Sequence, residues 1–249
     1  MNKVVLITGA SGGLGSAIAK RFGTDGDKVV VNYNKSVQDA ENVAKEINSS
    51  SGEAFVHQVD VCNYAQVKKM ADETVTKWGR IDVLVNAAGG SVNIMAGKFQ
   101  GVAEMGEEIW DEVVDSNLKG TFNCIKAVVP QIIKQREGHI INVASGLALS
   151  GSRGRANYAA AKAGVIALTK SVAIEVGEYN VKVNAVCPGL ILHERLRPNY
   201  PEETYQRIKN ANLLRRTGDP EEFANFVFHL STMNNISGQT LNLDSRILF

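Results

Sequence analysis

The sequence predicts an α/β protein with a doubly wound parallel sheet of about seven strands and helices on both faces. Short apolar runs alternate with helical patterns along the whole chain, as buried parallel strands and their crossover helices do. The first apolar run leads directly into a glycine-rich turn and then a helical pattern. No Pro/Ser-rich linker or long charge run divides the 249 residues, so we expect one domain over residues 1–249.

The individual elements follow from apolar periodicity. Strands are expected at residues 3–8, 28–33, 54–59, 81–85, 138–144, 181–186 and 240–243. Helices are expected from residue 16, over 38–47, 64–78 and 108–129, from the Ala-rich stretch after residue 152 to about 178, and from about 202 and 219. Residues 91–107 are expected to form a loop, and residues 190–212 a lid over a pocket.

Composition limits the classes of function. The net charge is +1, with acidic and basic residues interspersed, which argues against a nucleic-acid-binding face. The three cysteines, Cys62, Cys124 and Cys187, are far apart in apolar contexts, so we expect free thiols in a reducing compartment and no metal site. No apolar run reaches the roughly 18 residues of a membrane helix, and the N-terminal run is too short for a signal peptide. We therefore expect a cytoplasmic protein that does not bind membranes.

The turn after the first strand has the spacing Gly9-x-x-x-Gly13-x-Gly15. Glycines let a backbone approach a pyrophosphate, and the following helix offers free N–H groups at its positive end. The turn is thus predicted to bind phosphate, although a tight strand-to-helix connection alone has the same pattern.

The ends of the second and third strands predict the adenosine side of a nucleotide site. Residues 32–36 contain no carboxylate to hold a ribose 2′-OH, and Lys35 supplies a nearby cation, so NADP(H) is favoured over NAD(H). Lys35 could equally be a solvated loop lysine. Asp60 is placed to accept from an adenine amino group, and it could also cap the helix that begins near Asn63.

Two further loops carry candidate residues. Asn86-Ala87-Ala88-Gly89 follows the fourth strand, where small residues leave room for a ligand and Asn86 can tie neighbouring strand ends together. Asn117 lies inside the long helical pattern at 108–129, where a lone polar residue is commonly exposed or bound to nearby backbone.

Tyr158 and Lys162 are four residues apart in an Ala-rich helical run, so both side chains lie on one face of the helix. A cation beside a phenol stabilises the phenolate, which lets a tyrosine exchange a proton with a substrate oxygen. Ser145 ends the fifth strand, where ligands bind in open α/β sheets. Alone, the Tyr/Lys pair is weak support, because a surface tyrosine beside a solvated lysine has the same spacing.

Taken together, these motifs resemble the short-chain dehydrogenase/reductase family over essentially the whole chain. The shared residues are Thr8, Gly9, Gly13, Gly15, Asn86 to Gly89, Asn117, Ser145, Tyr158, Lys162, Pro188 and Gly189. The resemblance implies a single Rossmann-type domain. It also implies hydride transfer between a nicotinamide and a ketone or secondary alcohol.

The resemblance assigns roles to four catalytic residues. Tyr158 is the acid/base residue, and Lys162 stabilises its phenolate and holds the nicotinamide ribose. Ser145 hydrogen-bonds the substrate oxygen, and Asn117 supports a water in a proton relay. The implied cofactor-binding residues are Gly9, Ser11, Gly13, Leu14, Gly15, Asn34, Lys35, Asp60, Val61, Asn86, Ala87, Ala88, Gly89, Tyr158, Lys162, Pro188 and Gly189.

Within this family the chain is most similar to reductases of 3-oxoacyl groups held on acyl-carrier protein, with four departures. Gly12 stands where many NADP-preferring members have arginine. Of two arginines that dock the carrier protein, only Arg136 is present, and Ile174 replaces the other. His193 replaces a threonine that contacts the nicotinamide amide, and Asp244-Ser245-Arg246 replaces Asp-Gly-Gly.

These departures leave three hypotheses open. The first is an NADP(H)-dependent reductase of a 3-oxoacyl thioester or a related ketone, with acyl-carrier protein as a partner if the thioester is carried on it. The second is an NAD-dependent alcohol, sugar or steroid dehydrogenase of the same family. The third is a non-catalytic nucleotide-sensing protein on the same fold. The resemblance also implies a homotetramer, formed through the long helices beside the fifth strand.

Overall fold

Within residues 2–90, 100–192 and 201–246, which the computed structural model describes, seven parallel strands form one sheet. The strands are β1 (Val4–Thr8), β2 (Lys28–Tyr33), β3 (Glu53–Gln58), β4 (Val83–Asn86), β5 (Gly138–Val143), β6 (Val181–Pro188) and β7 (Thr240–Leu243). Their order is β3-β2-β1-β4-β5-β6-β7, and every neighbouring pair is parallel. The predicted fold class is confirmed.

Helices connect the strands and cover both faces of the sheet. They are α1 (Gly13–Thr24), α2 (Val37–Asn48), α3 (Tyr64–Trp78), α4 (Glu107–Val114), α5 (Gly120–Gln135), α6 (Leu147–Ser150), α7 (Ala156–Val176), α8 (Glu202–Ala211) and α9 (Pro220–Leu230). A π-helical turn, Asp115–Lys119, joins α4 to α5. None of the helices within the described ranges is both long and apolar enough to cross a membrane.

Successive residues of each central strand pack against opposite layers. Ile7 of β1 belongs to a buried cluster with Phe22 of α1 and residues of α2 and α9. Its neighbour Leu6 belongs to a second cluster, with Met70 of α3 and residues of α5 and α7. Because side chains alternate along a strand, the continuous apolar runs of the sequence are those of strands buried on both faces.

The strand order creates a crevice at the carboxyl edge of the sheet. The chain runs outward from β1 to β2 and β3, then crosses back so that β4 pairs with the other side of β1. The connections after β1 and β4 therefore leave in opposite directions, which is where open α/β sheets bind ligands. Thr8 and Asn86, the last residues of these two strands, are paired in register.

The predicted helix at 108–129 is wrong in two respects. It is interrupted by the π-helical turn around Asn117, and it continues past Pro130 to Gln135. Proline removes the hydrogen bond to the carbonyl four residues earlier. Here both Pro130 and Lys126 are exposed, so that carbonyl lies on the solvent side of the helix.

Other element boundaries differ slightly. Strand β6 extends through Pro188, whereas we expected it to end at 186. Helix α8 begins at Glu202 as predicted for the lid, but residues 193–200 of that lid lie outside the described residues. Residues 91–99 of the expected loop also lie outside them.

Candidate active site

The glycine-rich turn brings β1 and α1 into very close contact. Gly9 and Gly13 have φ of +66° and +56°, the left-handed region that glycine adopts without strain. A Cβ on Gly15 would lie 2.3 Å from the carbonyl oxygen of Gly9, and one on Gly9 would lie 2.9 Å from Cα of Ala88. Glycine is therefore required at positions 9 and 15 by backbone packing.

Two polar side chains hold this turn in place. The carboxamide oxygen of Asn32, in β2, accepts from the backbone N–H of Gly9 at 3.1 Å, while its amide group donates to the carbonyl oxygen of Val59 at 3.1 Å. The hydroxyl of Thr8 accepts from the N–H groups of Ala87 and Ala88 at 3.1 and 3.0 Å. The phosphate-binding candidate is thus tied to the ends of β2, β3 and β4.

A buried chain of polar groups runs under the site from β4 to α7. The amide of Asn86 donates to the carboxamide oxygen of Asn142 at 2.8 Å, and the amide of Asn142 donates to the hydroxyl of Thr169 at 2.9 Å. The predicted link between neighbouring strand ends through Asn86 is confirmed. This side chain is turned toward β5 and does not line the cavity described below.

Asn117 lies in the π-helical turn and is fully buried, not exposed. Its amide donates to the carbonyl oxygens of Val113 and Gly90 at 2.8 and 2.9 Å. Its carboxamide oxygen has no hydrogen-bond partner among the described residues. A Cβ on Gly89 would lie 2.5 Å from that oxygen, so Gly89 makes room for Asn117. Asn117 therefore links the loop after β4 to the helix.

Ser145, Tyr158 and Lys162 converge at the end of β5. The hydroxyl of Ser145 accepts from the N–H of Leu147 at 3.2 Å, where α6 begins. The ammonium of Lys162 donates to the carbonyl oxygen of Val143 at 2.7 Å and lies 5.8 Å from the ring centroid of Tyr158. Burial lowers the pKa of Lys162 to about 8. The predicted proximity of the phenol and the ammonium is confirmed.

Asn157, immediately before Tyr158, fixes the start of α7. It is fully buried, its amide donates to the carbonyl oxygen of Ile109 at 3.2 Å, and its oxygen accepts from the N–H of Tyr158 at 2.8 Å. Asn157 was not predicted as a site residue, because an asparagine in an Ala-rich helix carries no distinctive sequence signal.

A cavity of about 440 Å³ joins the glycine-rich turn to the Tyr158 region. The predicted site residues that line it are Gly9, Gly13, Leu14, Gly15, Ala87, Ala88, Gly89, Ser145, Tyr158, Lys162, Pro188 and Gly189. The predicted residues that do not line it are Ser11, Asn34, Lys35, Asp60, Val61, Asn86 and Asn117. The cavity thus unites the phosphate-binding candidate with the proton-exchanging candidate.

The ends of β2 and β3 lie beyond this cavity. Asn34 and Lys35 are exposed, and the carbonyl oxygen of Asn34 accepts from the side chain of Gln58 at 3.0 Å. Asp60 does not cap α3: Asn63 does, by accepting from the N–H of Gln66 at 3.2 Å. Asp60 instead accepts from the N–H of Cys62 at 2.9 Å. Asparagine was the better capping candidate, because it immediately precedes the helix.

Several cavity residues were not anticipated. Arg155 precedes α7, Ile208 belongs to α8, and Arg246 follows β7. They are far apart in sequence and belong to no short motif, so only the fold brings them together. Asn32 had one available signal, since it is a polar residue inside the buried run KVVVNY.

The residues around the turn suit a nicotinamide dinucleotide. Helix α1 begins without a side-chain cap and with no acidic residue in its first turn, so its N–H groups are available to an anion. Glycine at positions 9 and 15 leaves the turn without side chains at these two positions, so a pyrophosphate can approach its backbone. The cavity then continues to Lys162 and Tyr158, where a ribose and a nicotinamide would follow.

Comparison with known proteins agrees with this geometry. A family model described as short chain dehydrogenase matches residues 3–204. The chain is 40% identical to the 3-oxoacyl-[acyl-carrier-protein] reductase FabG of Staphylococcus epidermidis, over 98% of both chains. It is 39% identical to FabG of Staphylococcus aureus strain Mu50, over 98% of this chain and 97% of that protein. A 3-oxoacyl-[acyl-carrier-protein] reductase of Synechocystis is 42% identical over 97% of this chain and 95% of its own.

Proposed function

The chain belongs to the short chain dehydrogenase family and is an NAD(P)-dependent oxidoreductase, and we propose that it reduces the ketone of a 3-oxoacyl thioester with NADPH. The observation that carries this proposal is the single cavity of about 440 Å³ that joins the glycine-rich turn to Ser145, Tyr158 and Lys162. The names of the similar reductases support the thioester substrate.

The side chains around Tyr158 supply the proton chemistry. As the carbonyl becomes an alkoxide, the phenol of Tyr158 donates its proton to that oxygen. The hydroxyl of Ser145 donates a second hydrogen bond to the same oxygen and stabilises its developing charge. The ammonium of Lys162, 5.8 Å from the phenol ring, stabilises the phenolate that remains. The buried carboxamide oxygen of Asn117 has no partner in the part of the chain that the structure describes, and Asn117 is proposed to support a water that returns the proton.

The glycine-rich turn and neighbouring loops would hold the cofactor. When bound, the nicotinamide supplies the hydride that reaches the carbonyl carbon. Gly9, Gly13 and the N-terminus of α1 would bind the pyrophosphate, and Lys162 the nicotinamide ribose. The other cofactor-binding residues predicted from the sequence are proposed to surround the bound dinucleotide, with Asp60 toward the adenine. Lys35, exposed at the end of β2 with no carboxylate at 32–36, favours a 2′-phosphate and therefore NADP(H).

The test is a paired titration with NADPH and NADH, followed by reduction of an acetoacetyl thioester of N-acetylcysteamine. We expect tighter binding of NADPH and turnover of the thioester. The variant Lys35→Glu should reduce the NADPH preference by roughly tenfold or more, because it replaces an attractive positive charge beside the 2′-phosphate with a repulsive negative one. The matched control is Lys45→Glu, at an exposed lysine of α2. Preference for NADH, or no thioester reduction, would instead favour an NAD-dependent alcohol dehydrogenase.

A surface at the far end of α5 and α7 bears on which carrier holds the thioester. The guanidinium of Arg136 lies 5.8 Å from the ring centroid of Tyr179, and Ile174 is 84% exposed. We propose that acyl-carrier protein docks near Arg136. Comparing acetoacetyl groups on carrier protein, coenzyme A and N-acetylcysteamine tests this: the carrier-protein thioester alone should lose kcat/KM in Arg136→Ala.

We also propose a homotetramer. Phe122 is a large apolar side chain exposed on α5, one of the long helices beside the fifth strand, as an interface between chains would require. Light scattering should give the molar mass of four chains, and a one-chain mass would contradict the proposal.

We place the protein in the cytoplasm, because its three cysteines are all free thiols.

A further inference from the structure

Arg246 brings a guanidinium into the cavity that contains Tyr158 and Lys162. Its Nε donates to the carboxylate of Asp244 at 2.8 and 3.1 Å, its Nη2 donates to the same group, and its backbone N–H donates to Oδ1 at 3.0 Å. The side chain of Asp244 is 1% exposed and that of Arg246 is 24% exposed. Arg246 lines the cavity and Asp244 does not, so Arg246 is the member of this ion pair that a ligand in the cavity would meet.

The segment around this pair is held on two sides. Asp244 packs against the turn after β6, where a Cβ on Gly189 would lie 2.7 Å from Cγ of Asp244. Ser245 accepts from the N–H of Leu213 at 2.9 Å, and its hydroxyl donates to the side chain of Asn212 at 3.1 Å, beside the end of α8. Arg246 is thus attached to two elements that also contribute to the cavity, which fixes the position of its guanidinium.

The charge of the cavity is one-sided. Its charged side chains are Arg155, Lys162 and Arg246, and no acidic side chain lines it among the described residues. The glycine-rich turn, where the cofactor phosphates are expected, contributes no basic side chain. Asp244 balances the charge of Arg246, so Arg246 contributes guanidinium N–H donors that neither the proton chemistry of Tyr158 nor the phosphate turn requires.

We propose that Arg246, supported by Asp244, binds a carboxylate on the acyl chain of the substrate; this rests on the proposed ketone reduction. The planar edge of a guanidinium matches a carboxylate. Asp244 uses Nε and Nη2, and no described residue accepts from Nη1. Because Arg246 and Tyr158 line the same cavity of about 440 Å³, one acyl chain can carry both the ketone and the anion. The phosphate of a pantetheine thioester is separated from the ketone by the whole pantetheine arm.

The kinetic test compares two N-acetylcysteamine thioesters with 3-oxoacyl chains of equal length, one ending in a carboxylate and one in its methyl ester. The wild-type enzyme should prefer the carboxylate. Arg246→Met should lower kcat/KM for the carboxylate by roughly ten- to a hundredfold, mainly through KM, the effect of one charged hydrogen-bonded pair. The ester should change less than about threefold. An unchanged preference in this variant would overturn the proposal.

Three further proteins serve as controls. Arg207→Met removes an exposed cation from α8 next to the cavity residue Ile208 and should keep the wild-type preference. Arg246→Met alone leaves the carboxylate of Asp244 buried without its cation, which can destabilise the fold. The double variant Asp244→Asn/Arg246→Met removes both charges and should show the same loss of preference. Arg246→Lys should retain part of it. Equal losses for both thioesters, with a raised KM for NADPH, would show that Arg246 holds the cofactor and would overturn the proposal.

A binding experiment separates this proposal from the proposed reaction. If no thioester is reduced, the reaction is wrong, but the anion site can still be measured by titrating glutarate and dimethyl glutarate into the protein saturated with NADP⁺. Bound NADP⁺ occupies the phosphate turn, so glutarate then reports on the rest of the cavity. Glutarate should bind the wild-type protein and should bind Arg246→Met at least about tenfold more weakly. No glutarate binding, or equal binding by both proteins, would overturn the anion site.

Discussion

Lys162 is a buried cation at the centre of the proposed chemistry. Its ammonium donates to the carbonyl oxygen of Val143 and is only 4% exposed, so most of its hydration is lost. Burial disfavours the charged form and lowers its pKa to about 8. The positive charge beside Tyr158 is therefore complete below about pH 7 and is lost as the pH rises through 8.

This titration predicts the pH dependence of cofactor binding. The affinity of the protein for NADPH should fall as the pH rises from 7 to 9, because the neutral amine of Lys162 attracts the cofactor less strongly. Lys162→Arg should remove this dependence, since arginine stays charged. Lys170→Arg, at an exposed lysine of the same helix, should behave like the wild type. Fluorescence titration across the pH range measures this; identical curves for wild type and Lys162→Arg would contradict it.

Tyr158 predicts a separation of chemistry from binding. Tyr158→Phe removes the proton donor and leaves the ring, so turnover should fall by roughly 10²- to 10⁴-fold, the usual contribution of acid–base catalysis. NADPH binding should survive. The control Tyr179→Phe changes a tyrosine that packs near Arg136, outside the cavity. Single-turnover rates and cofactor titrations on the same preparations measure both effects, and near-normal turnover in Tyr158→Phe would refute the assignment.

At the scale of elements, the connection from β1 to α1 depends on two glycines in contact. A Cβ on Gly15 would overlap the carbonyl oxygen of Gly9. Gly9 is itself held in place, because its backbone N–H donates to the side chain of Asn32. The turn and its phosphate-binding N–H groups therefore depend on close packing between two backbone segments. Any shift of α1 away from β1 would change the positions of those N–H groups.

We expect Gly15→Ala to lower the free energy of unfolding by about 1–3 kcal/mol, the range for overpacking. It should also weaken NADPH binding. Gly177→Ala is the matched control, since a Cβ there meets no atom within 4 Å and its backbone is already helical. Urea unfolding and NADPH titration measure the two effects; an alanine at 15 that leaves both unchanged would mean that the turn tolerates a shift of α1.

The sequence predicted the sheet well because its strands are buried on both faces, which produces continuous apolar runs. It predicted the approach of Tyr158 to Lys162 because that contact lies within one helix. It did not predict the π-helical turn at Asn117, since one extra residue in a helix leaves no sequence signal. Arg246 was also missed as a cavity residue, because its place depends on Gly189, Asp244 and the end of α8 in three separate elements.

At the scale of the whole molecule, the two edges of the sheet carry different kinds of polar residue. The carboxyl edge holds the cavity. The amino edge holds a cluster of ionisable groups near the starts of β1, β2, β4, β5 and β6: Lys3, Asp27, Asp82, His139 and Lys182. Asp27 and Asp82 accept from the N–H groups of Lys3 and Val4 at 2.7 and 2.8 Å. This edge therefore affects stability without touching the proposed reaction.

His139 makes the stability of the fold depend on pH. It is 8% exposed, and burial, followed by the nearby charges of Lys182 and Lys3, lowers its pKa to about 4, while Asp82 acts in the opposite direction. Between pH 6.5 and pH 4 the unfolded chain binds a proton at this histidine and the folded chain does not. The free energy of unfolding must therefore fall as the pH falls through this range, by about 2 kcal/mol between pH 7 and pH 5 from this group alone.

His139→Asn should remove that part of the acid sensitivity. Urea unfolding at pH 7 and pH 5 gives two free energies for each protein, and their difference should be about 2 kcal/mol smaller in the variant than in the wild type. All other titrating groups are common to both proteins, so the comparison isolates His139. The exposed His229 on α9 provides the control, since His229→Asn should keep the wild-type difference. If His139→Asn loses as much stability as the wild type on acidification, then His139 becomes protonated within the folded sheet, and the amino edge must open to admit the proton.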